Sequence, residues 1–585
     1  MRIDLRSPGR QERAYVLLLT LFFLAISLAI LGGIAQWTYG NAALTARNNA
    51  FNSAVAAAES STEVAIAQMS RDFVHQSLST DVTKYNGILP RNFVPFGWTQ
   101  RYQFSDGSGQ PNQSQILCAG WQQKTNLQGE FAGLYGMVNS YQVSSFAKDL
   151  AGLYPVSGGV SQSIQLTSIP IYQYAIFYCL DLEINPGAPM VVTGKTHGNA
   201  DLFLAPSSSL EFADTVSYVG QVNLSRSTND PTGGSSTTPV FDAELRRVNA
   251  MTLPVGVDNN PTNVVQMLDV PPSGEDPASI LGRERFYNKS DLVINVMTNR
   301  VNVLFNNFED GTSFTVVRTN APSDGTNSGY SFINTNASFY DYRETKQVLA
   351  TELDVAALTN WMAGAGFPLN VQTSARVKHA INSVYVNDTR VASGKLTAIR
   401  LVNGQTLPSS GLTVSTALPL YVKGNLNAPD LTPGSTNTAN TKPASLVSDA
   451  ITILSANWND SWDAATPLSS RTAANSTVNA AFLAGIVPSV TTNNQAHYSG
   501  GVENFPRFLE NWNASTLTYN GSMVVMFQSR FAKNFWIAPG TYYNPPTRKW
   551  AFDTAFLDPN RLPPLTPQVR KLQRVSWNVV TAKTN

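Results

Sequence analysis

Read by its apolar and polar positions, the chain changes period twice before settling into short alternating runs. Ala14 to Ala35 (AYVLLLTLFFLAISLAILGGIA) is apolar throughout, with no charge inside it. At ~1.5 Å per residue such a helix rises about 33 Å, enough to cross the ~30 Å hydrocarbon of a bilayer. Ala25, Ala29 and Gly33 recur every fourth residue within it, a small-residue pattern that lets helices approach closely. From Asn41 to Ser77 the period is helical and amphipathic, with neither proline nor glycine. Phe51, Val55, Ala58, Thr62, Ile66, Met69 and Phe73 fall on one face; Asn52, Glu59, Glu63, Gln68 and Asp72 occupy the flanks and far side.

After Ile88-Leu89-Pro90 the pattern shortens. Ser163–Leu182, Met190–Gly194, Asp201–Leu204, Leu210–Phe212 and Val216–Val222 read as strands about 8–12 residues apart with turn residues between them. Such spacing suits the rungs of a β-solenoid, and a sandwich equally. Arg300–Arg318 reads as a hairpin around Asp310-Gly311, and Leu517–Phe527 as a second around Asn520-Gly521. Val355–Met362 is a short helix, strands resume at Leu396–Val402, Leu412–Thr416 and Leu418–Val422, and Ser227–Pro239 and Pro429–Pro443 are linker-like. The proline-rich tail from Ile537 is extended.

The expected fold is mainly β: an N-terminal transmembrane and amphipathic helix, then a β-rich body, partly solenoid with insertions. Its segments are a basic stretch (1–13), the span (14–37), the amphipathic helix (38–78) and a β-rich domain with the first rungs (79–225). A β-rich insertion (226–395), a second rung region with linker (396–500) and an aromatic, proline-rich end (501–585) complete it.

Charge sets the orientation. Arg2, Arg6, Arg10 and Arg13 precede the apolar run and only Arg47 lies close behind, so the positive-inside rule keeps the N-terminus in the cytoplasm and exports the rest. Inner-membrane anchoring with the body in the periplasm or at the cell surface is the expectation. The alternative is a signal sequence cut after Gly33-Ile34-Ala35, which would release a soluble binding module starting at Gln36. Only 14% of the 585 residues are charged and the net charge is +1, which excludes the basic footprint of a nucleic-acid partner. Cys118 and Cys179, each in an apolar segment, are a candidate disulfide in an oxidising compartment; two free thiols are the alternative.

Catalytic patterns are missing. His75, His197, His379 and His497 have no metal-ligand spacing, and His197 and His497 read as turn residues. Gly194-Lys195-Thr196 lacks the glycine a phosphate loop needs, since Pro189 stands there. Glu211 and Asp214 could act on a polysaccharide only from one face, and residues three apart on a strand face opposite ways. The Asp106 (DGSG) and Asp324 (DGTN) segments read as turns. No catalytic residue, metal or cofactor is assigned. The aromatic end, with Trp536, Tyr542, Tyr543 and Trp550, is a candidate binding surface for a partner or a surface glycan, with core packing as the alternative.

The basic start, the apolar helix and RNNAFNSAVAAAESSTEVAIAQMSRDF resemble the N-terminal region of PilX-type minor pilins of type IV pili. SFYDYRETKQVLATELDVAAL (338–358), AIRLVNGQTLPSSGLTVSTALPLYVKGNLN (398–427) and VENFPRFLENW (502–512) resemble segments of large bacterial proteins sharing that start. The resemblance implies a structural role in pilus assembly or adhesion, with other pilus or surface-assembly subunits and the membrane as partners. It also makes Phe51, Val55, Ala58 and Glu59 a candidate assembly surface. One feature departs from the pattern. Prepilins are cut at a Gly directly before the apolar helix, with Glu five residues on; here Arg13 abuts the helix, and the fifth residue after Gly9 is Ala14. Cleavage at neither Gly9 nor Ala35 is expected. The rival reading is a surface-anchored polysaccharide-acting enzyme.

Overall fold

The computed structural model describes residues 10–91, 97–152, 154–233, 236–256, 259–307, 313–320, 330–363 and 380–581, with side chains from Tyr15 on and none for 306–320. The chain is a long N-terminal apolar helix followed by a β-rich body. Helix α1 runs unbroken from Arg10 to Val74, 65 residues. Gly32, Gly33 and Gly40 lie where nothing approaches the helix. It stops where Gln76 turns to φ +55 and the Ser77 N–H folds back onto the Asp72 carbonyl at 2.8 Å.

Against the upper part of α1 lies a five-stranded antiparallel sheet. Its strands are β1 (Tyr102–Ser105), β2 (Gln115–Asn126), β3 (Tyr135–Asp149), β4 (Ser157–Pro170) and the C-terminal strand Gln568–Val580. β1 and β2 share one side of β3; β4 and then the C-terminal strand follow on the other.

Beyond this sheet the chain coils. Ile176–Tyr178, Leu182–Ile184 and Met190–Val192 form the three sides of one turn. The next turn places Thr196, Leu202 and Leu210 beside Ile176, Leu182 and Met190 in parallel register, twenty residues on each time. Val216 and Val222 repeat the step. Parallel neighbours are not those of an antiparallel sandwich. A second arm stacks Leu292–Val296, Ser383–Asp388, Leu412–Ser415, Ala444–Ser448, Ser476–Ala484 and Thr516–Val525 in parallel. Its last strand pairs with the first strand of the first arm, Met523 opposite Ile176, so both arms share one 13-stranded sheet. Along that sheet the later half of the sequence therefore precedes the earlier half. Chain entry and exit meet at the join, where β4 and the C-terminal strand pair.

The strands at Met190–Val192, Leu202–Leu204 and Leu210–Phe212 lie where alternation put them. The run Val216–Val222 is instead split by a corner into Val216–Tyr218 and Val222–Asn223, and Thr196–Gly198 is a further strand. The short helix spans Val355–Ala363. Val301–Asn307 and Ser313–Asn320 pair antiparallel; the turn at Asp310-Gly311, like the Asp324 segment, lies outside the described residues. The second hairpin is corrected: Thr516–Val525 is one continuous strand. Asn520 is a rung residue, donating to Asn479 Oδ1 at 2.8 Å, while Asn427 and Asn479 each donate to the other's carbonyl at 2.8 Å. Gly521 is needed because a Cβ there would meet the Ala480 carbonyl oxygen at 2.1 Å. Side-chain ladders of this kind are built by neighbours forty or more residues away, which a dipeptide pattern cannot reveal.

Candidate functional site

The site suggested by the sequence is α1, and the structure divides it in two. Every large apolar side chain from Tyr15 to Leu44 is exposed, Trp37 at 70% and Tyr39 at 77% among them. Each large apolar side chain gains ~1.5–3 kcal/mol on leaving water, so this stretch calls for an apolar surrounding.

Above it the helix is packed. Ala54, Ala57, Ala58, Ser61, Thr62, Ala65, Ile66 and Met69 are all buried against β3 and β4, and Phe73 nearly so. Small residues set the approach. A Cβ on Gly158 of β4 would stand 2.7 Å from the Val55 nitrogen and 3.0 Å from the Ala54 carbonyl carbon. Higher up, Ile66 and Met69 join Tyr85, Ile116, Tyr141, Val143, Ile164 and Leu166 in a closed apolar cluster.

Polar contacts fix the helix along its length. Gln162 of β4 donates to Thr62 Oγ1 and Glu63 Oε1, both at 2.8 Å. Arg574 of the C-terminal strand donates to both Glu63 oxygens at 2.7 and 2.6 Å, and to Gln162 Oε1 at 2.7 Å. Partial burial pushes the Glu63 carboxyl up, but the Arg574 and Gln162 hydrogen bonds and the Arg574 charge together hold it below its ordinary range. At the helix end Asp72 accepts from Tyr85 at 2.9 Å and pairs with Lys84 at 3.1 Å. Burial opposes these contacts, yet Asp72 too titrates low. Arg570 donates to the Val74 carbonyl at 3.0 Å, placing a cation at the negative end of the helix dipole. Arg570 and Arg574 left no trace in the sequence pattern, lying some five hundred residues from the helix they hold.

This packing corrects the candidate assembly surface. Ala58 is fully buried in the chain's own junction, and Phe51, Val55 and Glu59 are half-buried beside it. β4 approaches at Gly158, lower on the helix than a stripe reserved for neighbours would allow.

The expected cross-link between Cys118 and Cys179 is not formed. Cys118 is exposed on β2 opposite Tyr141, whereas Cys179 follows a coil strand, its N–H donating to the Val525 carbonyl. Burial pushes the Cys179 thiol up to about 11, despite a hydrogen bond from Asn199.

The aromatic surface is corrected as well. Tyr542 and Tyr543 are buried core residues, and Trp536 and Trp550 pack against the same core. The Tyr543 hydroxyl accepts from Trp536 Nε1 at 2.8 Å and donates to Asn504 at 2.9 Å, so even its polar edge is used internally. His197 is a buried strand residue rather than a turn residue; its ring bonds Ser217 and Asn199 at 2.9 Å and stacks on Phe177. Burial lowers it to about 4. His497 stacks on Phe535 with centroids 3.8 Å apart. Glu211 and Asp214 part company: Asp214 pairs with Lys195 at 3.0 Å, and the hydrogen bond and charge of Asp242 raise Glu211. Among the described residues no group of three His, Cys, Asp or Glu is placed to hold a metal.

No family model matches the chain. No curated protein matches it. Among solved structures it is similar to the competence-associated pilin ComZ from Thermus thermophilus, at 11% identity and a TM-score of 0.25, over 92% of this chain and 97% of that one.

Proposed function

We propose that this chain is a pilin-like structural protein, anchored in the inner membrane by the lower half of α1 and carrying an exported body built as a β-solenoid. One observation carries the reading: a single helix whose first half exposes all its large side chains and whose second half is buried in its own sheet. Such a helix joins membrane and body without a hinge. Continuous helix satisfies every backbone group inside lipid, and the docked half fixes how the body stands on it.

The contacts to other assembly subunits fall below the junction, on Trp37, Tyr39 and Leu44, because the stretch from Ala54 upward is occupied. The role assigned is that of a minor subunit in pilus assembly or adhesion. Two experiments test it. The full chain should resist alkaline extraction from membranes, while a chain starting at Gln36 should be soluble and equally folded. Replacing Trp37 and Tyr39 with Ser should abolish co-purification with pilus subunits while leaving membrane attachment intact; unchanged co-purification would remove the assembly role.

A further inference from the structure

Among the described residues the sheet beneath α1 has two edges at which no further strand pairs. Among the described residues the C-terminal strand pairs only with β4, and β2 pairs only with β3. The end of the C-terminal strand, Val575-Ser576-Trp577-Asn578-Val579-Val580, contains neither charge nor proline, and Val575, Trp577 and Val579 are 59, 45 and 45% exposed. Strand edges are usually blunted by charge, proline or a cover, and one left bare pairs with another chain. The adjacent charge, Arg574, is engaged by Glu63 and Gln162 of its own chain. β2 is also sparingly charged. Its Lys124 donates to the Leu557 carbonyl at 2.9 Å, and Leu117 and Trp121 are exposed.

Strand direction decides which edges can meet. Gly158 lies against Ala54 and Gln162 against Thr62, so β4 runs away from the apolar half of the helix, as α1 does. The C-terminal strand and β3 are antiparallel to β4 and run back toward it; β2, antiparallel to β3, runs away again. Two copies standing side by side in one membrane therefore present opposed strands at opposite edges. Two C-terminal strands meeting there would run parallel, the weaker pairing, and an antiparallel self-pair would point the two anchors in opposite directions.

Height matches too. Across the sheet Cys118 is level with Tyr141, Ile164 and Arg574, and Gln115 with Ser144, Ser161 and Asn578. The regular part of β2 before its first register shift, Gln115–Cys118, thus stands at the same level as Arg574–Asn578. We propose that copies of this chain in one membrane join edge to edge, the C-terminal strand of each extending its neighbour's sheet through β2. The contact is head-to-tail, so it continues as a row or closes as a ring. It rests on the anchored reading for the shared orientation of the copies.

Native Cys118 supplies the probe. Val575→Cys, Ser576→Cys and Trp577→Cys, the positions next to the level of Cys118, are each made in the full chain and oxidised in native membranes. Non-reducing gels should show a ladder of dimers, trimers and longer products for at least one position, lost when Cys118→Ser is added. Val579→Lys in the ladder-forming variant should cut the ladder at least tenfold. Cys179, unlabelled by maleimide until denaturation, reports that each variant is folded. Membrane-bound, folded chain with a reactive Cys118 and no ladder, a dimer alone, or a ladder indifferent to Val579→Lys overturns edge pairing. Recovery of the chain in the soluble fraction overturns the anchored reading, and with it the orientation this pairing needs.

Discussion

The two halves of α1 share one backbone conformation and differ in everything that surrounds it. From Tyr15 to Ala35 the helix carries large apolar residues on all sides, every one of them exposed. Above Ala54 it carries alanines, serine and threonine on one face, packed so closely that β4 needs a glycine to pass. Apolar residues all round suit a fluid solvent that demands no shape; a narrow stripe of small residues suits one fixed partner. On the proposed reading anchoring and docking are written in residue size as much as in hydrophobicity, and each half should fail in its own way when altered.

The sharpest contrast is a carboxylate placed in each half. Ala58→Asp buries a charge where the side chain is wholly enclosed, at a cost on the order of several kcal/mol, and should lower the melting temperature of the body markedly. Ala25→Asp should leave that temperature unchanged and instead impair membrane insertion, by about 3 kcal/mol at a helix centre. Equal melting temperatures for both variants would erase the division.

Added volume gives a milder version. Gly158→Val forces atoms into the Ala54–Val55 backbone and should cost about 1–3 kcal/mol, opening Arg71 to trypsin. Gly33→Val, with nothing near it, should change neither melting nor cleavage.

Acidity separates the junction from the coil. Glu510 is fully buried in the second arm, and burial raises its carboxyl to about 7 although Ser455 donates to it twice at 2.7 Å. A raised carboxyl contributes stability below its ordinary value of 4.5 and loses it as pH climbs through about 7. Thermal stability should therefore fall between about pH 4.5 and 7, and Glu510→Gln should flatten that slope. Glu63 at the junction has the opposite sign: its lowered carboxyl contributes above 4.5 and loses that contribution as pH drops through its folded value.

The smallest effect is Glu63→Gln itself. Glu63 and Arg574 are 39% and 50% exposed, so solvent screening holds their pair to about 0–1 kcal/mol. Melting at neutral pH should shift by a few degrees at most, and the acid-side loss due to Glu63 should vanish.

How much of this was legible depended on how local the cause was. The face of α1 followed from spacing alone: Ala58, Thr62, Ile66, Met69 and Phe73 are buried along the expected stripe. The short strands at Met190–Val192, Leu202–Leu204 and Leu210–Phe212 were visible in alternation because each buries at least one apolar side chain of its own. What joins those strands was not visible. Met523 pairs with Ile176 across most of the chain, and no local pattern encodes that join. Asn520-Gly521 misled because an asparagine stacked on a neighbouring rung and one in a tight turn look alike in sequence. Trp536, Tyr542, Tyr543 and Trp550 left surface and core both open, because prolines around an aromatic cluster suit a loop as well as a segment that folds back onto the coil, as this one does.

The central claim is that α1 crosses the membrane once and delivers the body to the far side. Cys118, exposed on β2, allows it to be tested with an impermeant maleimide on intact spheroplasts. The account predicts that Cys118 is labelled before lysis, whereas in a Cys118→Ser chain carrying Ser7→Cys labelling appears only after lysis. Labelling of both positions before lysis, or of neither, would contradict it.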